Sequence, residues 1–322
     1  MLTEMYAPPT RRRNSKMLIS LSFLAATGGI PVYLYLVQFA AMNRCSLLPL
    51  ALLVLLTPAI ALAQEASCPN FFPQGQPPAL VNPKLGQRTT MLCNDAYAVL
   101  ASGVTHGALW SAEHPTVSSL EGARHTRREG EFHADDRLPV ADQGQLADFR
   151  RSGYDRGHMT PSGDMPDEQA QQQSFSLANM VPQTAELNRG IWAGIEMTVR
   201  KLAEREGELY LVTGPAFHGG DLKSIGPDGM LVPTSTWKAV YDPRVSGAGV
   251  YVCKNTAQPT CDVVSVATLI RVVGIDPFPA LPDRVKQVAM TLPSPENSRY
   301  ASKGYAQHNH KKRSLLEQLL GD

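Results

Sequence analysis

Tyr154-Asp155-Arg156-Gly157-His158-Met159 runs straight into Thr160-Pro161-Ser162-Gly163-Asp164-Met165. An acid, a guanidinium, a glycine and an imidazole stand in four consecutive positions. A core strand or helix does not take that mixture, because each buried polar group needs its own partner. It does suit a polar cleft, with the glycine letting the backbone pass close to it. On a strand-like backbone, positions 156 and 158 face the same side. Imidazole has an ordinary pKa of about 6.5 and can take a proton from water at neutral pH. A guanidinium stays charged and binds two phosphate oxygens at once. A base beside a phosphate clamp is a minimal layout for hydrolysing a phosphodiester. A buried salt-bridge turn would use the same residues, so the choice depends on what lies further along the chain.

Downstream, Leu187, Ile191, Ile195, Val199 and Leu202 recur at steps of three and four. That spacing predicts one helix over 185–206 with a single apolar stripe, stopped by Gly207. Asn188 and Glu196 stand eight residues apart on it, a net offset of about 80°, so they share a side. Arg200 continues that side four residues beyond Glu196. An amide oxygen and a carboxylate are hard ligands that suit Mg²⁺, or Mn²⁺, better than zinc. Mg²⁺ keeps several waters, so one Asn suffices as a direct contact. Taken singly, Asn188 reads as a helix-start residue, Glu196 and Arg200 as a helical ion pair, and Trp192 as core.

The rest of the chain reads as β-rich. Strands are expected at 96–100, 108–112, 209–213, 236–241, 249–252 and 263–267. Residues 120–138 carry Arg124, Arg127, Arg128 and Arg137 among Glu129, Glu131, Asp135 and Asp136 and read as a solvated loop. Residues 165–173 read as polar surface, and 175–180 as a strand or buried turn. A short helix is expected at 311–320. His308-Asn309-His310 spells a nuclease-like letter pattern, but it stands alone in a polar stretch and is read as coincidence. The class is α+β, one domain, with an antiparallel sheet and helices packed on it.

The N-terminal residues differ in composition. Arg11, Arg12, Arg13 and Lys16 precede an apolar run at 17–41, and a second run at 47–63 ends in Ala61-Leu62-Ala63. From Met42 the second run is complete as an export signal. Residues 1–41 are then upstream sequence that is never made, or a membrane anchor long enough to span a bilayer. We expect a leader at 1–63, a Pro/Gly/Gln-rich leading segment at 64–90 that is loose or laid on the surface, and the main domain at 91–322. The location expected is periplasmic or secreted. Residues 64–322 hold 25 basic and 28 acidic residues, a formal net of −3, so nucleic-acid binding requires a local basic cluster. Past the leader remain Cys68, Cys93, Cys253 and Cys261, an even count that favours disulfides 68–93 and 253–261 in an exported chain.

Asp155-Arg156-Gly157-His158, then Asn188, Trp192 and Glu196, together resemble the DNA/RNA non-specific endonucleases. The similarity extends to Leu109-Trp110-Ser111-Ala112-Glu113, to Phe132 with Asp135–Pro139, and to Ser176–Gln183, over about 90–275. The resemblance implies a ββα-metal (His-Me finger) fold. It implies His158 as general base, Asn188 as the direct ligand of a hydrated Mg²⁺, and Glu196 acting on metal-bound water. Arg156 and Arg200 are implied as phosphate contacts, joined by an upstream arginine, Arg127 or Arg128. Gly163 departs from the alanine common in the family. DNA and RNA are the implied partners; a homodimer stays open and no inhibitor protein is indicated. Two other readings remain: a catalytically inactive relative that binds nucleic acid or a partner, and a small-molecule phosphoesterase.

Overall fold

The computed structural model describes residues 68–298. The leader, the apolar run at 17–41, His308-Asn309-His310 and the helix expected at 311–320 lie outside the described residues. The sheet strands are β1 (Thr89–Cys93), β2 (Tyr97–Ser102), β3 (Gly107–Glu113), β6 (Tyr210–Ala216), β7 (Ser235–Asp242), β8 (Gly247–Lys254) and β9 (Cys261–Val264). They form one antiparallel seven-stranded sheet in the order β9-β8-β7-β6-β3-β2-β1. A separate antiparallel pair, β4 (Asp155–His158) and β5 (Met180–Gln183), stands apart from it. Helices α1 (Val117–His125), α2 (Glu168–Ser174), α3 (Ala193–Glu206) and α4 (Val266–Val273) complete the main elements.

Both faces of the sheet are covered, so β2 and β3 are buried at every position and lack apolar–polar alternation. On one face Ala98, Trp110, Val212, Trp237 and Val250 pack with Val266 and Leu269 of α4, and with Phe278. The other face holds two apolar patches. Leu211, Val240 and Tyr251 receive Trp192, Ile195, Val199 and Leu202. Leu92, Tyr97 and Val99 receive Met159, Met165, Ala170 and Val181. A cross-strand polar row breaks up this face, because Ser111 pairs with Thr213 and Thr213 with Lys238.

The leading segment is not loose. Phe72 is 2% exposed and meets Trp110 edge-on at 6.0 Å. Ala79–Leu80 pairs with Ile275–Asp276. Cys68 is bonded to Cys93 and Cys253 to Cys261, the pairing expected. The strand expected at 263–267 stops at Val264. The Ser265 hydroxyl accepts from the Thr268 amide at 3.2 Å and starts α4 instead. The loop expected at 120–138 is helical at its start, where Thr116 and Ser119 form a capping box. At 165–173, Asp167 caps α2, which buries Ala170 and Gln171. The segment 175–180 is a buried turn over Leu177–Asn179 leading into β5.

Candidate active site

Strand β4 pairs Arg156 with Pro182, Gly157 with Val181 and His158 with Met180. Gly157 is required by its neighbour, since a Cβ there would lie 2.2 Å from Gln183 Oε1. Alternation puts Arg156 and His158 on one side, against the same phenyl ring. The Arg156 guanidinium stacks 4.2 Å from the Phe132 centroid, and the His158 ring lies 5.7 Å from it. Phe175 packs edge-on to His158 at 5.0 Å and carries Arg128 on its face at 5.2 Å. Two phenyl rings therefore wall the imidazole, and a guanidinium caps each ring. The turn after β4 is held by buried Asn179. Its Oδ1 accepts from the Thr160 amide at 3.0 Å, and its Nδ2 donates to Thr160 O and Ser174 O at 2.9 Å.

His158 is 7% exposed, and its Nε2 is sealed in without a hydrogen-bond partner. Nδ1 is left as the nitrogen that can meet solvent. Burial, then Arg128, then Arg156 push its pKa down to about 3. The ring is neutral throughout the physiological range, and a neutral imidazole can accept a proton. Leaving Nε2 unpaired costs about 1–3 kcal/mol, a cost that natural proteins concentrate where a group has chemical work. Arg128 also donates to Ser162 Oγ at 2.6 Å, and its charge reaches Glu196 as well. Both upstream arginines are exposed, and Arg128 is the one at the site, over the Phe175 ring and bonded to Ser162.

The helix expected at 185–206 is not continuous. Leu187–Trp192 is a wide π-type turn, with Gly190 at φ −93° and ψ −116°, and regular α3 begins at Ala193. The 80° offset between Asn188 and Glu196 assumed a regular helix and does not apply across that break. The side chains are oriented by contacts instead. Asn188 Nδ2 donates to Asp155 Oδ2 at 3.0 Å, and Arg189 grips both Asp155 oxygens at 2.8 and 2.6 Å. These contacts hold the Asp155 carboxyl below the usual carboxylate range despite its partial burial. Because the amide nitrogen is committed to Asp155, Asn188 keeps Oδ1 as a hard acceptor. Asp155→Ala is expected to weaken divalent-metal affinity about 10–100-fold, as loss of such supporting contacts does. Calorimetric titration with Mn²⁺ checks this, and an unchanged affinity would remove Asp155 from the site.

Glu196 lies on the first turn of α3 above the polar row of the sheet. Burial raises its pKa to about 7, opposed first by Lys238 and reinforced by Asp164. Lys238 is 1% exposed, donates to Thr213 Oγ1 at 2.7 Å and lies 3.6 Å from the buried Glu113 carboxylate. Arg200 turns to Asp164, donating from Nε to Oδ1 at 2.5 Å, and forms no helical ion pair with Glu196. Gly163 gives that guanidinium room, because a Cβ there would stand 2.8 Å from Nη2. Two cations and three carboxylates thus share one buried volume. Among the described residues no group of three or more His, Cys, Asp or Glu could hold an ion. The Asn188 amide oxygen and the Glu196 carboxylate are hard donors of the kind that suits a hydrated hard cation.

Burial, with Asp164 next, pushes the Glu113 pKa up to about 8. The folded chain therefore binds this proton more tightly than the unfolded one, and stability falls as pH rises from about 4.5 to about 8. Glu113→Gln is expected to shrink the difference in melting temperature between pH 5 and pH 8. Calorimetry at both pH values tests it, and an unchanged difference would show that Glu113 does not titrate in this window.

Lys238 and Glu113 carry a signal that periodicity overlooks, an ionisable group inside an apolar strand. Phe132 and Phe175 carry none, since their role exists only once three segments meet.

A two-stranded unit bearing the histidine, followed by a helix whose root bears the asparagine, defines the ββα-metal nuclease fold. The DNA/RNA non-specific endonuclease family model matches residues 76–284. The chain belongs to that family. It is 33% identical over 204 residues to the mitochondrial nuclease EXOG of Danio rerio, covering 57% of this chain and 59% of that protein. It is 35% identical over 150 residues to the mitochondrial Nuclease 1 of Schizosaccharomyces pombe, covering 46% and 44%. The EndoG/EndoGI complex, a solved structure concerned with EndoG inhibition, matches with a TM-score of 0.53 and 26% identity over 57% of this chain and 84% of that one. The chain thus spans about half the length of the first two relatives.

Proposed function

We propose that the protein is an exported, metal-dependent, sequence-non-specific endonuclease that hydrolyses phosphodiester bonds of DNA and RNA. The observation that carries this reading is the neutral, phenyl-walled His158 held between two guanidiniums. His158 takes a proton from a water molecule as the water oxygen bonds to phosphorus. The bond from phosphorus to the 3′-oxygen breaks, leaving a 5′-phosphate. Arg156 and Arg128 flank that step and offset charge building on the phosphoryl oxygens. Asp155 keeps the Asn188 oxygen facing outward, and Lys238 favours the ionised form of Glu196. A hydrated Mg²⁺, or Mn²⁺, held by Asn188 with Glu196 on its water would stabilise the leaving oxygen. Contacts of this kind address phosphate and not base edges, so sequence preference is weak. Binding that runs through arginine–phosphate contacts is salt-sensitive.

The two disulfides formed by the four cysteines after residue 63, and the Ala61-Leu62-Ala63 ending, support export. The relatives above are named as mitochondrial, so N-terminal sequencing of the native protein is the deciding measurement for location. For activity, the purified chain is incubated with supercoiled plasmid and with RNA, with Mg²⁺ or Mn²⁺ and with chelator. Cutting of both substrates that the chelator abolishes is the result expected. An intact plasmid and intact RNA in the presence of either ion would overturn the reading.

A further inference from the structure

Residues 288–298 lie beyond the end of the family match at 284 and run along the metal-bearing side of the fold. They are anchored at one end in the core. The Met290 amide donates to Ala248 O at 2.7 Å, buried Leu292 joins the cluster of Trp192, Ile195 and Val199, and Tyr251 donates to Pro293 O at 2.5 Å. They then cross the start of α3. The Glu296 amide donates to Thr198 Oγ1 at 2.9 Å, and that hydroxyl donates to Gly194 O at 2.8 Å. The Glu296 carboxylate meets Lys201 at 2.7 Å. Its carbonyl rests on Gly194 so closely that a Cβ there would lie 2.1 Å away. Finally Ser298 Oγ donates to Arg189 O at 2.7 Å.

That last contact falls on the residue after Asn188, inside the π-type turn that Gly190 breaks. Single π-type turns are rare and occur mostly at functional sites, and this one departs from helical geometry at Gly190. Ser298 fixes the Arg189 backbone, the Arg189 side chain grips Asp155, and Asp155 orients the Asn188 amide. We propose that residues 288–298 form a strap that positions Asn188 for the metal, with Ser298 and the Gly194 contact as its working points. The inference rests on the metal-centre reading above. The strap residues are positioning residues, since none of them is itself a donor to the ion.

The test is Mn²⁺ affinity measured by calorimetry without substrate, together with hydrogen exchange across 187–192, on the full chain. Ser298→Ala is expected to weaken Mn²⁺ about fivefold, the scale of one lost hydrogen bond, and to speed exchange in the turn. Ser298→Thr, which keeps the hydroxyl, should restore both. Gly194→Ala separates positioning from helix stability, because alanine is the better helix former. We expect it to weaken Mn²⁺ about tenfold and speed the same exchange, although helix propensity alone predicts a neutral or firmer helix. If both variants bind Mn²⁺ as tightly as the parent, the strap inference is wrong and the metal centre stands. If the parent binds no Mn²⁺, the metal-centre reading falls and takes the strap with it.

Discussion

His158→Ala should leave a folded protein whose plasmid cleavage is reduced about 10²–10⁴-fold, the usual contribution of a positioned general base. The fold should survive because the strand partners of residue 158 use backbone groups, and because the deletion also removes an unpaired buried nitrogen. The walling phenyl rings lose a neighbour, which costs packing but not topology. A rate within a factor of two of the parent would take His158 out of the chemistry. The pH profile sharpens the test. With its pKa near 3, His158 stays unprotonated at pH 5, so no loss of rate near pH 6.5 should trace to it. The sign for stability runs the other way from that of a salt-bridged histidine. The unfolded chain binds this proton more tightly than the folded one between about 6.5 and 3, so stability falls as pH drops through that window. His158→Ala should flatten that acid-side decline.

Asn188→Ala should have the second-largest effect, a loss of about 10²–10³-fold in metal-dependent cleavage, the scale seen when one transition-state-stabilising group is removed. Two things go at once, the Asn188 amide oxygen and the amide donor to Asp155. Asn188→Asp is no rescue, because it would set a second carboxylate against Asp155 in place of a donor. Its cleavage should also fall. Mg²⁺ titration of the cleavage rate is the readout, and an unchanged half-saturation in Asn188→Ala would move the ligand elsewhere.

Local chemistry made part of this site legible in the chain. Arg156 and His158 share a side because a strand has a period of two, and that holds wherever the strand sits. In the regular helix the apolar stripe at Ile195, Val199 and Leu202 is buried for the same reason of period, while Ile191, on the π-type turn, is only half-buried. Asn188 resisted that logic. Its orientation depends on a turn broken at Gly190 and on Asp155, 33 residues upstream. Arg128 and Arg127 are neighbours in one polar run, and only the Phe175 ring, brought in by the buried turn before β5, distinguishes them. Spacing alone sets Arg200 on the Glu196 side, but the buried Asp164 carboxylate is its partner. The Val-rich run after Cys261 looked extended because β-branched residues favour strands, yet the Ser265 cap decided for a helix. Asn188, Arg128 and Arg200 take their places from long-range contacts, and the helix after Val264 from a local cap.

Both cystines sit at the rims of the sheet. One bonds the outer strand β1 to the segment ahead of it, and the other joins β8 to the outer strand β9 at paired positions. Outer strands are where a sheet frays first and where a stray chain can add itself. Fastening both rims raises the threshold for unzipping. A thiol reductant should shorten its working life in dilute solution and favour clumping through the freed rims, while leaving the rate per intact molecule as it was.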